Sequence, residues 1–307
     1  MLIDGVNIIE KLNKYKDDTI VVLGHEYSDV DSIISGYLMA KVLNDFGFNA
    51  SFCITDKVIS NETKDILNSY GFDASIYQKD IDYSSNPKFI LVDHNNRKLD
   101  GEIIMILDHH PISHNIDLEL YFNKSISSTS LYLCKGNEHL FSKEDITLAI
   151  LAATLDTASF NSTKAKEEDK RWCLSMCDEL GINYDKLYES GLYFTPLDNL
   201  KECSLNGLKK YNYNNKLVES SYVHINNDES NNCKIKEIVN ILKEYVKEKQ
   251  LDMFVFIVHN MSELKTTVYK INDKVEKVCY NKYTSRGNDI MPSIEKELIC
   301  GARNNRN

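Results

Sequence analysis

Apolar residues in the first half of the chain fall into short unbroken runs separated by stretches of helical periodicity. TIVVLG (19–24), KFILVDH (88–94) and IIMILDHH (103–110) are continuous runs of the kind buried on both faces of a parallel sheet, and ASFCIT (50–55) reads as a further strand. Helices are predicted between and around them. A short one spans Val6 to Tyr15, Asp31 opens SIISGYLMAKVLNDFGF (32–48), and a third runs from Asn61 to Tyr70, starting near Ser60. Ser142 caps KEDITLAILAATLDTAS (143–159) and Thr163 caps KAKEEDKRWCLSMCDELG (164–181), each with acidic residues in its first turn. This alternation predicts an α/β fold with a doubly wound, mostly parallel sheet, whose ligands bind beyond the carboxyl ends of the strands.

The pattern loosens from Ile182 to Leu205, where Pro196 appears, which places a connector near 190–200 and two domains at 1–190 and 200–307. In the second, LVESSYVHI (217–225), MFVFIVHN (253–260), KTTVYKI (265–271) and EKVCY (276–280) read as strands beside one amphipathic helix, CKIKEIVNILKEYVKEKQ (233–250). That is a smaller α/β domain with antiparallel elements. The Asn-rich NNDESNN (226–232) reads as a solvated turn.

The balance of Lys+Arg 36 against Asp+Glu 46, a formal charge of −10, argues against nucleic acid as the main partner, because binding its backbone draws on basic patches. No apolar stretch approaches membrane-spanning length, and the first residues lack the basic start, apolar core and cleavage site of a signal peptide, so a cytoplasmic protein is expected. None of the 8 cysteines follows CxxC spacing, and buried or half-buried free thiols are expected. His114, His139, His224 and His259 match no motif and are expected on the surface or as satisfied core residues; Trp172 is expected to pack.

Four polar tips carry the candidate chemistry: GHEYSDVDS (24–32), VDHNN (92–96), LDHH (107–110) and LDT (155–157). Three follow strands, so His25, Asp29, Asp31, Asp93, Asp108, His109 and His110 should gather at one sheet edge. Taken singly, Asp31 could merely cap the helix that follows it and Asp156 could be a helix-end cap. Together, so many carboxylates in one crevice would repel one another unless divalent cations compensated them. Mixed carboxylate and imidazole ligation suits Mn, Co, Fe or Zn better than Ca or Mg, and two cations fit better than one. Asp93, at a central strand tip, is placed to bridge them. Consecutive histidines at a strand end cannot both face the core, so His109 or His110 should project into the crevice.

The order HxxxDxD, DHN, DHH and an Asp-Thr in a helix resembles the DHH phosphoesterase superfamily over roughly residues 19–190. The second half is similar to the smaller, DHHA2-type domain of family II manganese-dependent inorganic pyrophosphatases and related exopolyphosphatases, through GLKKYNYNNKLV (207–218) and SRGNDIMPSIEKEL (285–298). The resemblance implies that His25, Asp29 and Asp93 hold one cation and that Asp31, Asp93, His109 and Asp156 hold the other. It implies two manganese ions, with cobalt or magnesium as alternatives. Asp108 would orient a neighbouring histidine, His110 would face the phosphate, and Lys209 and Arg286 would clamp the substrate. The implied activity is hydrolysis of phosphoanhydride bonds in a small phosphate compound, pyrophosphate first and polyphosphate second. A homodimer is left open, and no nucleic acid or membrane partner is expected.

Three positions depart from the pyrophosphatase pattern. Glu26-Tyr27-Ser28 stand where a pair ending in Asn-Pro is usual, Asn96 replaces a Glu, and Gly287 takes the place of the Lys in Ser-Arg-Lys. Nucleotide phosphodiesterases of the superfamily carry a GGGH-type motif that this chain lacks. A non-catalytic metal or phosphate sensor would show eroded ligand positions, and here they are intact.

Overall fold

The chain opens with an antiparallel ribbon, β1 (Leu2–Ile3) and β2 (Val6–Asn7), followed by α1 (Ile8–Leu12). The helix expected over Val6 to Tyr15 is therefore shorter. The ribbon takes its first two residues, and Asn13–Tyr15 tightens into a 3-10 turn. The computed structural model describes residues 1–112 and 116–304, with side chains to residue 299; His114 and the Cys300 side chain lie outside the described residues. Two compact units result: Met1–Phe160 with Lys164–Gly191, and Asn161–Thr163 with Leu192–Asn307.

In the first unit, β3 (Thr19–Leu23), β4 (Asn49–Cys53), β5 (Lys88–Val92), β6 (Ile103–Asp108) and β7 (Tyr121–Asn123) form one sheet in the order β4-β3-β5-β6-β7, parallel throughout. This is the mixed α/β fold that the sequence predicts. Ile20, Val22, Leu23 and Phe89 to Val92 have no exposed surface, which is why these strands are unbroken apolar runs. Because β3 pairs with β4 on one side and β5 on the other, the strand order reverses at the tip of β3, the position at which open sheets of this kind bind ligands.

Helix α2 (Val30–Asp45) leaves that tip and packs on β4; α3 (Asn61–Ser69) starts at the cap Ser60. Next come α4 (Thr129–Cys134), α5 (Lys143–Asp156), α6 (Glu167–Leu180) and α7 (Tyr184–Gly191), of which α4 and α5 pack on α2. A capping box of Ser142 and Asp145 starts α5 as expected. Thr163 does not cap α6. That helix begins three residues later than expected, after Lys166, because residues 161 to 166 are not helical and the acidic run Glu167, Glu168 and Asp169 supplies the first turn instead.

The second unit carries α8 (Leu200–Cys203) and a five-stranded sheet of β8 (Lys209–Tyr213), β9 (Lys216–Ile225), β10 (Met253–Asn260), β11 (Lys265–Ile271) and β12 (Val275–Tyr280), in chain order across the sheet. Only β9 and β10 run parallel, joined by α9 (Glu229–Lys249), whose stripe Ile235, Ile238, Val239, Leu242 and Val246 covers Phe254, Phe256 and Val258. The turn expected over 226–232 stops at the cap Asp228. A π-turn, Arg286–Ile290, leads into α10 (Met291–Asn304), and Ile290, Met291 and Ile294 pack on Val255, Ile257 and Val268. Of the described cysteines, Cys53, Cys134, Cys173, Cys177 and Cys203 are buried thiols as expected, whereas Cys233 and Cys279 are exposed thiols, on the outer part of α9 and on the strand β12. Among the described residues no helix is long and apolar enough to cross a membrane.

Candidate metal centre

The centre is built at the carboxyl ends of β3, β5 and β6 and at the end of α5. Gly24 ends β3 so closely against α2 that a Cβ there would lie 2.1 Å from Ser32 Oγ, and the same hydroxyl accepts the His25 N–H at 2.9 Å. His25 is thereby fixed at the start of the loop. Asp29, not Asp31, is the N-cap of α2: its Oδ1 accepts the Ser32 N–H at 3.0 Å, leaving Oδ2 3.1 Å from His25 Nε2. Asp31, two residues on in the first turn of α2, is almost fully buried, and the Thr129 N–H, the Ser130 N–H and the Ser130 hydroxyl donate to its carboxylate at 2.7, 2.9 and 2.6 Å. The start of α4 thus orients Asp31. Loop residues Glu26-Tyr27-Ser28 are tied down by Asp56, which accepts the Tyr27 and Ser28 N–H groups.

Asp93 adopts a positive φ of 62° and is 1% exposed. Its Oδ1 lies 3.1 Å from His109 Nε2 and 3.0 Å from the Thr129 hydroxyl, and its Oδ2 lies 3.5 Å from His25 Nε2. Asp156, the last residue of α5, places Oδ2 3.5 Å from His109 Nε2. Potential ligand atoms thus collect in overlapping groups: His25, Asp29 and Asp93; Asp31, His109 and Asp156; and Asp93, His109 and His110. Asp108 Oδ1 accepts the His110 N–H at 3.0 Å and faces its Nδ1 at 2.9 Å, while Asn95 donates to Oδ2 at 2.6 Å. His109 is buried and His110 half-buried.

The histidines supply the test of whether a metal fits. His109 Nδ1 lies 3.0 Å from the Ile126 carbonyl oxygen, and His25 Nδ1 lies 2.8 Å from that of Glu26. A carbonyl only accepts, so each Nδ1 carries a hydrogen and each neutral ring turns its Nε2 lone pair elsewhere. His109 Nε2 is buried without a hydrogen bond and faces Asp93, Asp156 and Asp31 oxygens at 3.1, 3.5 and 3.8 Å. A lone pair against carboxylates is repulsive unless a cation stands between them. The backbone acceptor on the opposite ring nitrogen is how metal-bound imidazoles are oriented. The donor set fits a divalent ion.

Electrostatics say the same. Burial first, then Asp93 and Asp156, pushes the Asp31 carboxyl well above its ordinary pKa; burial opposes the charge on Asp93 too, but His110, His109 and His25 hold it well below. Burial and Lys164 work against a charge on His109, yet Asp93 and Asp156 lift it to about 9. That position calls for positive charge, met by a proton on Nε2 or by a metal. Lys164, 7% exposed, pairs with Asp156, and its pKa is raised despite burial by Asp156, Asp93 and Asp31. Sequence reasoning assigned no role to Lys164, Thr129, Ser130, Asn95 or Asp56.

Lys209 and Arg286 belong to the second unit and are not among the metal-ligand groups. Lys209 is half-buried on β8, opposite Ser220 on β9. The Arg286 guanidinium donates to the Gly207 carbonyl at 2.5 Å and lies over the Tyr222 ring, 5.2 Å from its centre. Gly207 has φ 58°, and a Cβ there would meet the Tyr222 ring at 2.3 Å. His224 and His259 are paired neighbours on β9 and β10, both buried: His259 stacks on Tyr283 at 4.1 Å, and His224 Nε2 lies 3.2 Å from the Tyr283 hydroxyl. His224 Nδ1 has no hydrogen-bond partner, so the expectation of a satisfied core histidine fails for that atom. His139 is exposed.

Residues 19–156 match the DHH family, N-terminal domain. The chain is 24% identical over 287 residues to a Bacillus subtilis manganese-dependent inorganic pyrophosphatase, covering 85% of this chain and 88% of that protein. It is 22% identical over 313 residues to a protein of the same name from Methanocaldococcus jannaschii, covering 90% and 98%. Among solved structures, a Methanococcus jannaschii protein assigned to family II inorganic pyrophosphatases superposes with a TM-score of 0.70 at 21% identity, over 91% of this chain and 99% of the other.

Proposed function

We propose that this chain, whose residues 19–156 carry a DHH-family domain, is a metal-dependent hydrolase of phosphoanhydride bonds, and that its substrate is inorganic pyrophosphate. The observation that carries the reading is the orientation of Asp93. Its two oxygens face two different histidine Nε2 atoms, at 3.1 and 3.5 Å, each backed by a carbonyl on the far side of the ring. One carboxylate thereby joins two donor sets, His25 with Asp29, and His109 with Asp31 and Asp156. Manganese, of intermediate hardness, suits such mixed oxygen and nitrogen sets, and the named relatives are manganese-dependent.

Divalent cations held by these residues would supply charge neutralisation and water activation for attack on phosphorus. In the net reaction one water adds its oxygen to one phosphorus, the bridging P–O bond breaks, and the departing phosphate takes up a proton. Asp108 holds His110 Nδ1, so Nε2 is the position proposed to face the phosphate oxygens. Lys209 and Arg286 are proposed as the cations that bind the phosphate groups, since phosphoryl transfer depends mainly on positioning and fixed charge. No side-chain nucleophile is required.

Phosphate release by the purified full-length chain from pyrophosphate, tripolyphosphate, long-chain polyphosphate and nucleoside triphosphates, each with Mn, Co and Mg, tests the proposal. The expected result is fastest turnover of pyrophosphate with Mn. A preference for long chains would replace this reading with an exopolyphosphatase, and release from none of them under any metal would remove the hydrolase assignment.

A further inference from the structure

We propose that Lys164 is a resident cation of the metal centre: its ammonium shares Asp156 with the second divalent ion and so weakens that ion's binding relative to the first. The inference rests on the two-cation reading above. Lysine is seldom fully buried, and Lys164 is 7% exposed. It bonds Asp156 Oδ2, the same oxygen that lies 3.5 Å from His109 Nε2. An ion held by His109, Asp31 and Asp156 must therefore share that carboxylate with the ammonium or displace it.

The backbone is shaped to bring this contact about. Continued as helix, α5 would carry residue 164 about 12 Å beyond Asp156. Instead Ala158, Ser159 and Phe160 take positive φ values of 48°, 55° and 63°, a left-handed run that L-residues avoid and that here contains no glycine. It is pinned by Ser159 N–H to the Thr154 carbonyl at 2.6 Å, Ser159 hydroxyl to the Tyr188 carbonyl at 2.5 Å, and Phe160 N–H to the Thr157 hydroxyl at 2.9 Å. This reversal returns Lys164 to the end of the helix that carries Asp156. A segment held in an unfavourable conformation to bury one ammonium beside one carboxylate points to a function for the pair.

Like charges a few ångströms apart in a buried site lower each other's affinity steeply. Manganese alone is the probe, added to chelator-stripped full-length protein in isothermal titration calorimetry. Wild type should bind two equivalents, one weaker. Lys164→Met should tighten the weaker one by about tenfold or more, whereas Lys164→Arg, which keeps the charge, should stay near wild type. The rise in melting temperature on adding manganese should likewise be larger for Lys164→Met. Should the methionine variant fail to fold, Lys164→Gln is held to the same criterion. Fewer than two equivalents in wild type would overturn the two-cation reading and this inference with it. Two equivalents in wild type, with an unchanged or weaker second ion in the neutral variants, would overturn the role of Lys164 alone.

Discussion

Asp93→Asn separates the charge of the bridging carboxylate from its shape. Asn tolerates the left-handed backbone that residue 93 adopts at φ 62° at least as well as Asp, and it keeps an oxygen that can accept the Thr129 hydroxyl, which donates to Asp93 at 3.0 Å. What disappears is one negative charge whose oxygens face His109 and His25 at 3.1 and 3.5 Å. A unit charge about 4 Å from a divalent cation, at the effective dielectric that suits protein sites, is worth up to about 8 kcal/mol, and relaxation together with the amide oxygen that remains reduces the loss to roughly 2–4 kcal/mol for each ion. That corresponds to roughly 30- to 1000-fold weaker binding at both positions. Calorimetric titration with manganese gives both affinities, and phosphate release from pyrophosphate should fall by at least about 100-fold. A variant that kept two equivalents at wild-type affinity would refute the bridge; one ion lost with the other untouched would mean that Asp93 serves a single position.

Gly287→Lys, with folding checked first by thermal melting, should raise the ratio of pyrophosphate to tripolyphosphate turnover by adding a cation beside Arg286, and a flat ratio would show that the position does not face substrate. Acid should destabilise the second unit through its histidines, because burial holds His224 down to about 4 and His259 well below its ordinary value. The unfolded chain takes up these protons below about pH 6.5 while the folded one does not, so the stability is fully present above that value and is lost as pH falls towards 4, by about 3 kcal/mol for His224 alone. Urea midpoints followed by circular dichroism between pH 7 and 4.5 should show a slope that His224→Gln reduces, and an unchanged slope would contradict it.

The parts legible in the sequence are those with one dominant cause. Strands buried on both faces must be apolar throughout, so TIVVL, KFILV and IIMIL announced themselves, and a polar residue ending such a run had to lie at a sheet edge. His25, Asp93, Asp108 and His109 follow from that alone. Helix α4 did not, because its six residues are too few to show a periodicity; its role emerges only when Thr129 and Ser130 turn their N–H groups onto Asp31. Lys164 is expected as the first residue of the helix after Thr163, whereas the chain stays non-helical to Lys166 and reverses at 158–160 through Ala, Ser and Phe, none of which signals a left-handed turn. The cap of α2 fell on Asp29 rather than Asp31, which frees Asp31 for the interior of the centre. Strand β8, with its mixed KKYNY, has too weak an alternation to be read before its pairing with β9 is seen.

If two cations joined through Asp93 carry the cleavage of a phosphoanhydride, neither suffices alone. Stepwise addition of manganese to the chelator-stripped chain, with phosphate release from pyrophosphate measured at each step, tests it most directly. Negligible turnover in chelator, little at one equivalent and full turnover only as the second binds is the result predicted. Activity that survives the chelator, or that is complete at one equivalent, would contradict it.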